Sequence, residues 1–147
     1  MTVPALAAPS GHRWQTYANA RFAYEICYPA DLLVPAPEAD NGDGRTFAGS
    51  DGAVLRAWGQ YNALDRNVAQ AAAAERTRLV RGGAVITFSA VRPAWFVLSG
   101  RVGDALFYTR TELAGERFIA FDLRYPATAA ARWGPVAARL SRCLAAF

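Results

Sequence analysis

The sequence predicts an α+β fold in which an antiparallel sheet of six to seven strands is covered by helices, in the order βββ-α-ββββ-α. Two observations support this prediction. The second half contains four apolar-alternating segments separated by four residues or fewer, and such short connections join antiparallel neighbours rather than parallel strands. A helix-type pattern separates these strands from the three before them, and another follows the last strand.

The first three predicted strands occupy residues 21–28, 46–50 and 53–60. The first alternates large apolar side chains with small or polar ones and stops at Pro29. The second and third flank Asp51-Gly52. An Asp-Gly pair between alternating segments is a strong signal for a β-hairpin.

A helix is predicted from Ala63 to about Val80, because Asn62 can cap it and Asp65 takes the capping-box position. Gly82-Gly83 ends it. Its apolar stripe is thin because alanine is small. The stripe consists of Leu64, Val68, Ala71, Ala72 and Leu79.

The four later strands are predicted at residues 84–91, 95–101, 105–112 and 117–125, and Pro126 stops the last one. The final helix has Pro135 near its start, which is a favourable place for proline. Its predicted apolar face consists of Val136, Leu140, Cys143, Leu144 and Phe147.

Residues 1–12 are interpreted as a flexible leader before a single domain at residues 13–147. Ala5-Leu6-Ala7 has the small-x-small form of a signal-peptidase site. The leader is therefore either the remnant of a signal peptide or an ordinary alanine-rich N-terminus. No membrane span is expected, because no segment approaches eighteen consecutive apolar residues.

The two cysteines, Cys27 and Cys143, lack a zinc-ligand spacing. They are either two buried free thiols or one disulfide that joins the first strand to the last helix. We favour the disulfide, because the signal-like start of the chain is consistent with export to an oxidising compartment. Disulfides persist in oxidising compartments, so this choice predicts a periplasmic or secreted protein.

The formal net charge is +4, and all sixteen basic residues are arginine. These arginines are spread along the chain, so the sequence shows no basic stripe of the kind that binds nucleic acid. The absence of lysine excludes Schiff-base catalysis and a P-loop lysine.

Catalytic groups are sparse. The single histidine, His12, precedes the first strand, and we interpret it as a solvent-exposed bystander. Glu25, Glu112 and Asp122 are the carboxylates that could serve in acid–base chemistry. Glu25 and Asp122 alternate with apolar neighbours, which favours solvated or arginine-paired positions for these two instead. We therefore expect no enzyme activity, catalytic residue, cofactor or metal.

Residues 38–47, EADNGDGRTF, are the one acidic segment whose composition suggests a metal site. An EF-hand loop needs oxygen ligands at alternate positions, and here Gly42 takes the third such position. Asn41-Gly42 and Asp43-Gly44 instead favour a compound turn that leads into the hairpin. A calcium-dependent protein or a hydrolase that uses this segment remains an alternative.

The segment RFAYEICYPADLLVP at residues 21–35 resembles the opening of PsbP/Mog-type domains, which begin with a Phe-Gly-Phe-x-Ile-x-Tyr-Pro-like strand. GDGRTFAGSDGAVLRAWG at residues 42–59 resembles the hairpin that follows, and the order of elements agrees. Members usually have glycine where this chain has Ala23. The group includes lumenal and periplasmic proteins, and the resemblance implies a binding module with no catalytic residues to transfer.

The aromatic residues of the strands predict where a partner binds. Trp95-Phe96 and Phe107-Tyr108 are consecutive pairs, so rings point to both faces of the sheet. Either helices cover both faces or one face has an open apolar groove. We expect a protein partner to contact Trp58, Trp95, Tyr108 and Arg110. The alternative is a carrier that holds an apolar small ligand between sheet and helix.

Overall fold

The computed structural model describes residues 11–147, which form an α+β domain with ten strands and two helices. The signal-like sequence Ala5-Leu6-Ala7 lies outside the described residues. The strands are β1 (Trp14–Asn19), β2 (Tyr24–Pro29), β3 (Leu33–Pro35), β4 (Gly44–Gly49), β5 (Val54–Tyr61), β6 (Val85–Val91), β7 (Trp95–Val102), β8 (Ala105–Ala114), β9 (Arg117–Pro126) and β10 (Ala145–Ala146). The helices are α1 (Val68–Arg81) and α2 (Ala130–Cys143).

Seven strands form the main antiparallel sheet in the order β3-β4-β5-β9-β8-β7-β6. The predicted α+β class and the antiparallel meander of the second half are confirmed. β9 lies at the centre, between β5 and β8. The two edges differ, because β3 has three residues and ends in proline whereas β6 has seven.

The first predicted strand does not belong to this sheet. It corresponds to β2, which pairs with β1 and β10 in a separate three-stranded sheet. The sequence prediction did not include β1, β3 or β10. β1 carries mostly polar and small side chains, and the other two strands are three residues or shorter, so none has a clear period-two pattern.

Helix α1 begins later than predicted. Asn67 is its N-cap: the Asn67 carboxamide accepts from the Gln70 amide at 2.8 Å, and the Gln70 side chain accepts from the Asn67 amide at 2.9 Å. Asn62 closes a turn with Arg66 instead. Asp65 has a φ of 50°, which is not helical. The helix therefore cannot include Leu64, which is exposed rather than part of the apolar stripe.

Helix α2 follows a short 3-10 turn, so Pro135 lies inside the helix rather than near its start. Its buried face consists of Trp133, Val136, Ala137 and Leu140. Phe147 was predicted on this face but is exposed, because the helix ends at Cys143. Its backbone amide donates to the Ala23 carbonyl instead, beyond the two-residue strand β10.

The helices cover opposite faces of the sheet. We call the face that carries Leu55, Phe121 and Tyr108 the first face. On it, α2 and the small sheet pack against the half formed by β3, β4, β5 and β9. On the second face, α1 packs against β6, β7 and β8. Each face therefore has a covered half and an open half. The open half of the first face is formed by β6, β7 and β8, and that of the second face by β3, β4, β5 and β9.

The hairpin predicted at Asp51-Gly52 is present between β4 and β5. Asp51 also holds helix α2, because its Oδ2 accepts from Trp133 Nε1 at 2.8 Å. Burial alone would raise the pKa of Asp51, but hydrogen bonds from Trp133 and from the Ala53 amide, with Arg132 nearby, hold it below the usual value. The turn and the helix are thus joined by an ionised carboxylate.

A disulfide joins Cys27 of β2 to Cys143 at the end of α2, with 5.8 Å between the two Cα atoms. The two layers that cover the first face are therefore covalently linked. Of the two alternatives left open by the sequence, the structure has the disulfide.

We expect the double substitution Cys27→Ala and Cys143→Ala to lower the free energy of unfolding by about 5 kcal/mol, because the chain-entropy model assigns that value to a closed loop of this length. The bridged residues are 116 positions apart. Urea unfolding of the oxidised protein and of the variant measures the difference. A difference below about 1 kcal/mol would contradict the entropic account.

Ala23, the residue that replaces the glycine usual in PsbP/Mog-type domains, has a φ of 51°. This left-handed conformation costs an L-residue about 1–2 kcal/mol, whereas glycine adopts it freely. The Ala23 carbonyl accepts hydrogen bonds from the Arg117 side chain and the Phe147 amide. These bonds hold the strained turn between β1 and β2.

Ala23→Gly is therefore expected to raise the free energy of unfolding by about 0.5–1 kcal/mol, after the larger chain entropy of unfolded glycine is subtracted. Ala18→Gly is the matched control, because Ala18 is an exposed alanine in β1 whose φ is not positive, and it is expected to destabilise. If both variants lose stability in urea, the backbone strain at Ala23 is not significant.

Candidate functional site

Three of the four residues predicted to bind a partner lie together on the open half of the first face. Val97 of β7 pairs with Arg110 of β8, and the neighbouring pairs are Trp95 with Glu112 and Ser99 with Tyr108. Cross-strand partners point to the same face of a sheet. We call this region, with Phe88 and Val85 of β6, the Trp95 surface.

Arginine side chains flank the Trp95 ring. The Arg110 guanidinium lies 4.1 Å from the ring centroid, and the Arg92 guanidinium lies 5.8 Å from it. Arg110 also forms an ion pair of 2.9 Å with Glu112, and its side chain is 14% exposed. The indole and the guanidinium of Arg110 are therefore held in a fixed arrangement that is partly shielded from water.

Tyr108 marks the border between the covered and open halves. Its ring stacks on Phe121 with centroids 5.9 Å apart. Its hydroxyl accepts a hydrogen bond from Ser141 of α2 at 2.9 Å. Tyr108 is therefore half-buried and packs largely against the core.

The Trp95 surface continues to the edge of the sheet at β6. Val85 and Phe88 are 49% and 54% exposed, although both are large and apolar. A register shift between Ile86 and Phe88 places both side chains on the first face, where they neighbour Arg101 and Ser99. Among residues 11–147 no strand pairs with the outer edge of β6, and its sequence VITFSAV has no charge or proline to block that edge. The sequence analysis did not select either residue.

Trp58, the fourth predicted residue, is separate from the other three. It lies on the second face of β5, opposite Ala120 of β9. There it borders the open half that α1 leaves uncovered. The structure therefore does not place Trp58 in one site with Trp95, Tyr108 and Arg110.

Trp58 lies instead in a groove between helix α1 and strands β5 and β9. Two adjoining cavities of about 450 Å³ and about 770 Å³ share four lining residues: Trp58, Gln60, Glu75 and Arg78. We call them together the Trp58 groove. The groove holds four arginines that the sequence analysis did not select, Arg56, Arg66, Arg78 and Arg124. Arg56 is two residues from Trp58 on β5, and Arg124 is two residues from Asp122 on β9; this period-two spacing is the signal that could have identified these two arginines.

The charged groups of the Trp58 groove are in contact with one another. The Arg56 guanidinium lies 5.7 Å from the Trp58 centroid. Arg124 lies 3.5 Å from Asp122, and Arg78 forms two hydrogen bonds with Glu75. Burial raises the pKa of Asp122, although the nearby Arg124 and Arg56 oppose this shift. Asp122 is thus an arginine-paired strand carboxylate, one of the two positions that the sequence pattern favoured for Glu25 and Asp122.

The acidic segment at residues 38–47 forms the predicted compound turn. Asn41 Oδ1 accepts from the Asp43 amide at 3.1 Å, and Gly42 has a φ of 72°. Glu38 accepts hydrogen bonds from Tyr17 and Asn19, so its carboxylate has internal partners. Within residues 11–147, no three His, Cys, Asp or Glu side chains come together as a metal site requires.

His12 differs from the expectation that it would be an exposed bystander. It is half-buried, and its Nδ1 lies 2.9 Å from Asp31 Oδ2. The hydrogen bond with His12 lowers the pKa of Asp31. This pair attaches the residues just before β1 to the turn after β2.

In the part of the chain that the structure describes, no helix is long and apolar enough to cross a membrane.

The arrangement of sheets and helices is a PsbP-like fold, as the resemblance at residues 21–35 and 42–59 implied. The solution structure of cyanobacterial PsbP (CyanoP) from Synechocystis sp. PCC 6803 is similar to the chain, with a TM-score of 0.72 and 13% sequence identity. The similarity covers 100% of this chain and 98% of that one. No family model matches the sequence, and comparison with curated proteins gives no match.

We expect Arg110→Ala to lower the free energy of unfolding by about 1 kcal/mol, because it removes a close cation–π contact and leaves Glu112 without its ion-pair partner. Arg92→Ala is the matched control: Arg92 contacts the same ring at a longer distance and is exposed. Its expected effect is below about 0.5 kcal/mol. Equal effects of the two substitutions in urea unfolding would show that the Arg110 contact does not stabilise the surface.

Proposed function

We propose that the chain is a non-catalytic accessory domain that binds another protein in an oxidising compartment, the periplasm or the extracellular space. The observation that carries this proposal is the Trp95 surface. It combines an indole, two exposed apolar side chains and a free strand edge on one half-sheet. Apolar and aromatic groups of this kind, with arginine at the rim, are typical of protein interfaces.

The charges of the Trp95 surface indicate the chemistry of the partner. Arg92, Arg101 and Arg110 contribute three positive charges, and Glu112 contributes one negative charge. The adjoining edge strand β6 is uncharged. The complementary partner presents an apolar segment flanked by aspartate or glutamate, and an extended segment can also pair with the free backbone of β6.

A second copy of this chain fits the surface less well. Arg81 precedes β6 by a short turn and Arg92 directly follows it. Two β6 strands paired edge to edge in the antiparallel direction would bring Arg92 of one copy towards Arg81 of the other. Like charges at an interface oppose association, so a different, acidic protein is the occupant that we propose.

Two further features support the compartment. The Cys27–Cys143 disulfide is of the kind that persists outside the reducing cytosol. The PsbP/Mog-type domains that the chain resembles include lumenal and periplasmic proteins. The acidic segment supports a calcium-dependent function poorly, because its turn uses its own polar groups as hydrogen-bond partners.

Site-specific photo-crosslinking tests the proposal in cells that express the full chain. Benzoylphenylalanine replaces Phe88 in one variant and Val34 in a matched control, because both side chains are large, apolar and exposed but belong to opposite edges of the sheet. We expect Phe88 alone to capture a specific protein. Mass spectrometry identifies that protein and its location.

The captured protein is then purified, and its affinity for the chain is measured. Trp95→Ala is expected to weaken binding about tenfold or more, as loss of an interface tryptophan commonly does. Trp58→Ala, on the opposite face, leaves it unchanged. Capture from Val34 as often as from Phe88, a cytoplasmic partner, or equal affinities of the two alanine variants would each refute the proposal.

A further inference from the structure

We infer that the Trp58 groove is a binding site for a small organic anion with a flat apolar body. This site is independent of the proposed protein partner, because it lies on the other face of the sheet. The inference rests on the shape of the groove, on its charge and on the position of Trp58.

The shape of the groove suits a small ligand. Its two cavities adjoin along α1 and have volumes in the range of ligand pockets, about 300–1,000 Å³. Trp58 is half-buried where the two cavities meet. A flat body that enters the groove therefore contacts the indole, which is a favourable surface for stacking.

The charge of the groove selects an anion. Its lining includes four arginines and two carboxylates, Glu75 and Asp122. The arginines are Arg56, Arg66, Arg78 and Arg124. Four positive charges and two negative ones leave an excess of two positive charges. Guanidinium groups bind carboxylate, sulfonate or phosphate oxygens through charge-assisted hydrogen bonds.

The position of the arginines orients the ligand. Arg56 and Asp122 are directly opposite across β5 and β9, and the next pair on the same face is Val54 with Arg124. Arg56 also lies against the Trp58 ring. The anionic group is thus placed between Arg56 and Arg124, while the body lies along Trp58 and Gln60. The sequence-based alternative of an apolar small ligand lacks the anionic group that these arginines favour.

Fluorescence titration with two probes tests the inference on the folded, oxidised chain. 8-Anilinonaphthalene-1-sulfonate has an aromatic body and an anionic group, and N-phenyl-1-naphthylamine has a similar body without the charge. We expect Trp58→Leu to weaken binding of both probes at least fivefold. The double variant Arg56→Gln and Arg124→Gln removes both charge-assisted contacts, so we expect it to weaken sulfonate binding at least about tenfold and binding of the neutral probe less than twofold.

Trp95→Leu is the matched control, because Trp95 is the other half-buried tryptophan that contacts arginine on an open half-sheet. It should leave both affinities unchanged. If Trp58→Leu proves unstable, Trp58→Phe is used as a second variant. It keeps an aromatic ring and should therefore retain most of the binding. The inference is overturned if sulfonate binding follows Trp95, if it is insensitive to the arginine variant, or if the wild-type chain binds with a Kd weaker than about 1 mM.

Discussion

Burial of the central strand on both faces determines how the rest of the molecule is arranged. Ile119, Phe121 and Leu123 of β9 pack under α2 and the small sheet on the first face. Phe118 and Ala120 of the same strand are buried on the second face. The layer on the first face extends from β9 towards β3, and α1 on the second face lies over the strands towards β6. Since neither layer reaches across the whole sheet, one half of each face stays open, and the two open halves lie on opposite faces and towards opposite edges of the sheet.

This arrangement places similar chemistry at two separate sites. Each open half has one half-buried tryptophan with an arginine guanidinium over its ring, Trp95 with Arg110 and Trp58 with Arg56. The surroundings differ: exposed apolar side chains and a free strand edge adjoin Trp95, whereas Trp58 lies in a charged concave groove. A flat, partly apolar surface suits a macromolecule and a groove suits a small ligand. The sheet separates the two surfaces, so the two proposals do not compete for the same residues.

The sequence was sufficient to predict the long strands and their antiparallel order, because their alternation and short turns are local signals. The sequence was less informative about features that tertiary contacts determine, such as the start of α1 and the grouping of residues on one face of the sheet. Asn62 and Asn67 are both acceptable N-caps, and the left-handed backbone at Asp65 excludes the first. Alternation alone shows that Tyr108 and Arg110 share a face. The separation of Trp58 from them depends on register across β5, β9 and β8, and the half that each helix covers is not encoded in any single segment.

The hydrogen bond between Trp133 and Asp51 also bears on the chemical lifetime of the chain. Asp-Gly sequences age by attack of the glycine amide nitrogen on the aspartate carboxyl group, which gives a succinimide and then isoaspartate. Here both carboxylate oxygens of Asp51 accept hydrogen bonds, from the Ala53 amide and from Trp133, and the Gly52 amide donates to the Gly49 carbonyl. The lowered pKa keeps the carboxylate ionised, which makes it a poor electrophile. The contact that docks α2 onto the hairpin thereby protects the turn from this rearrangement.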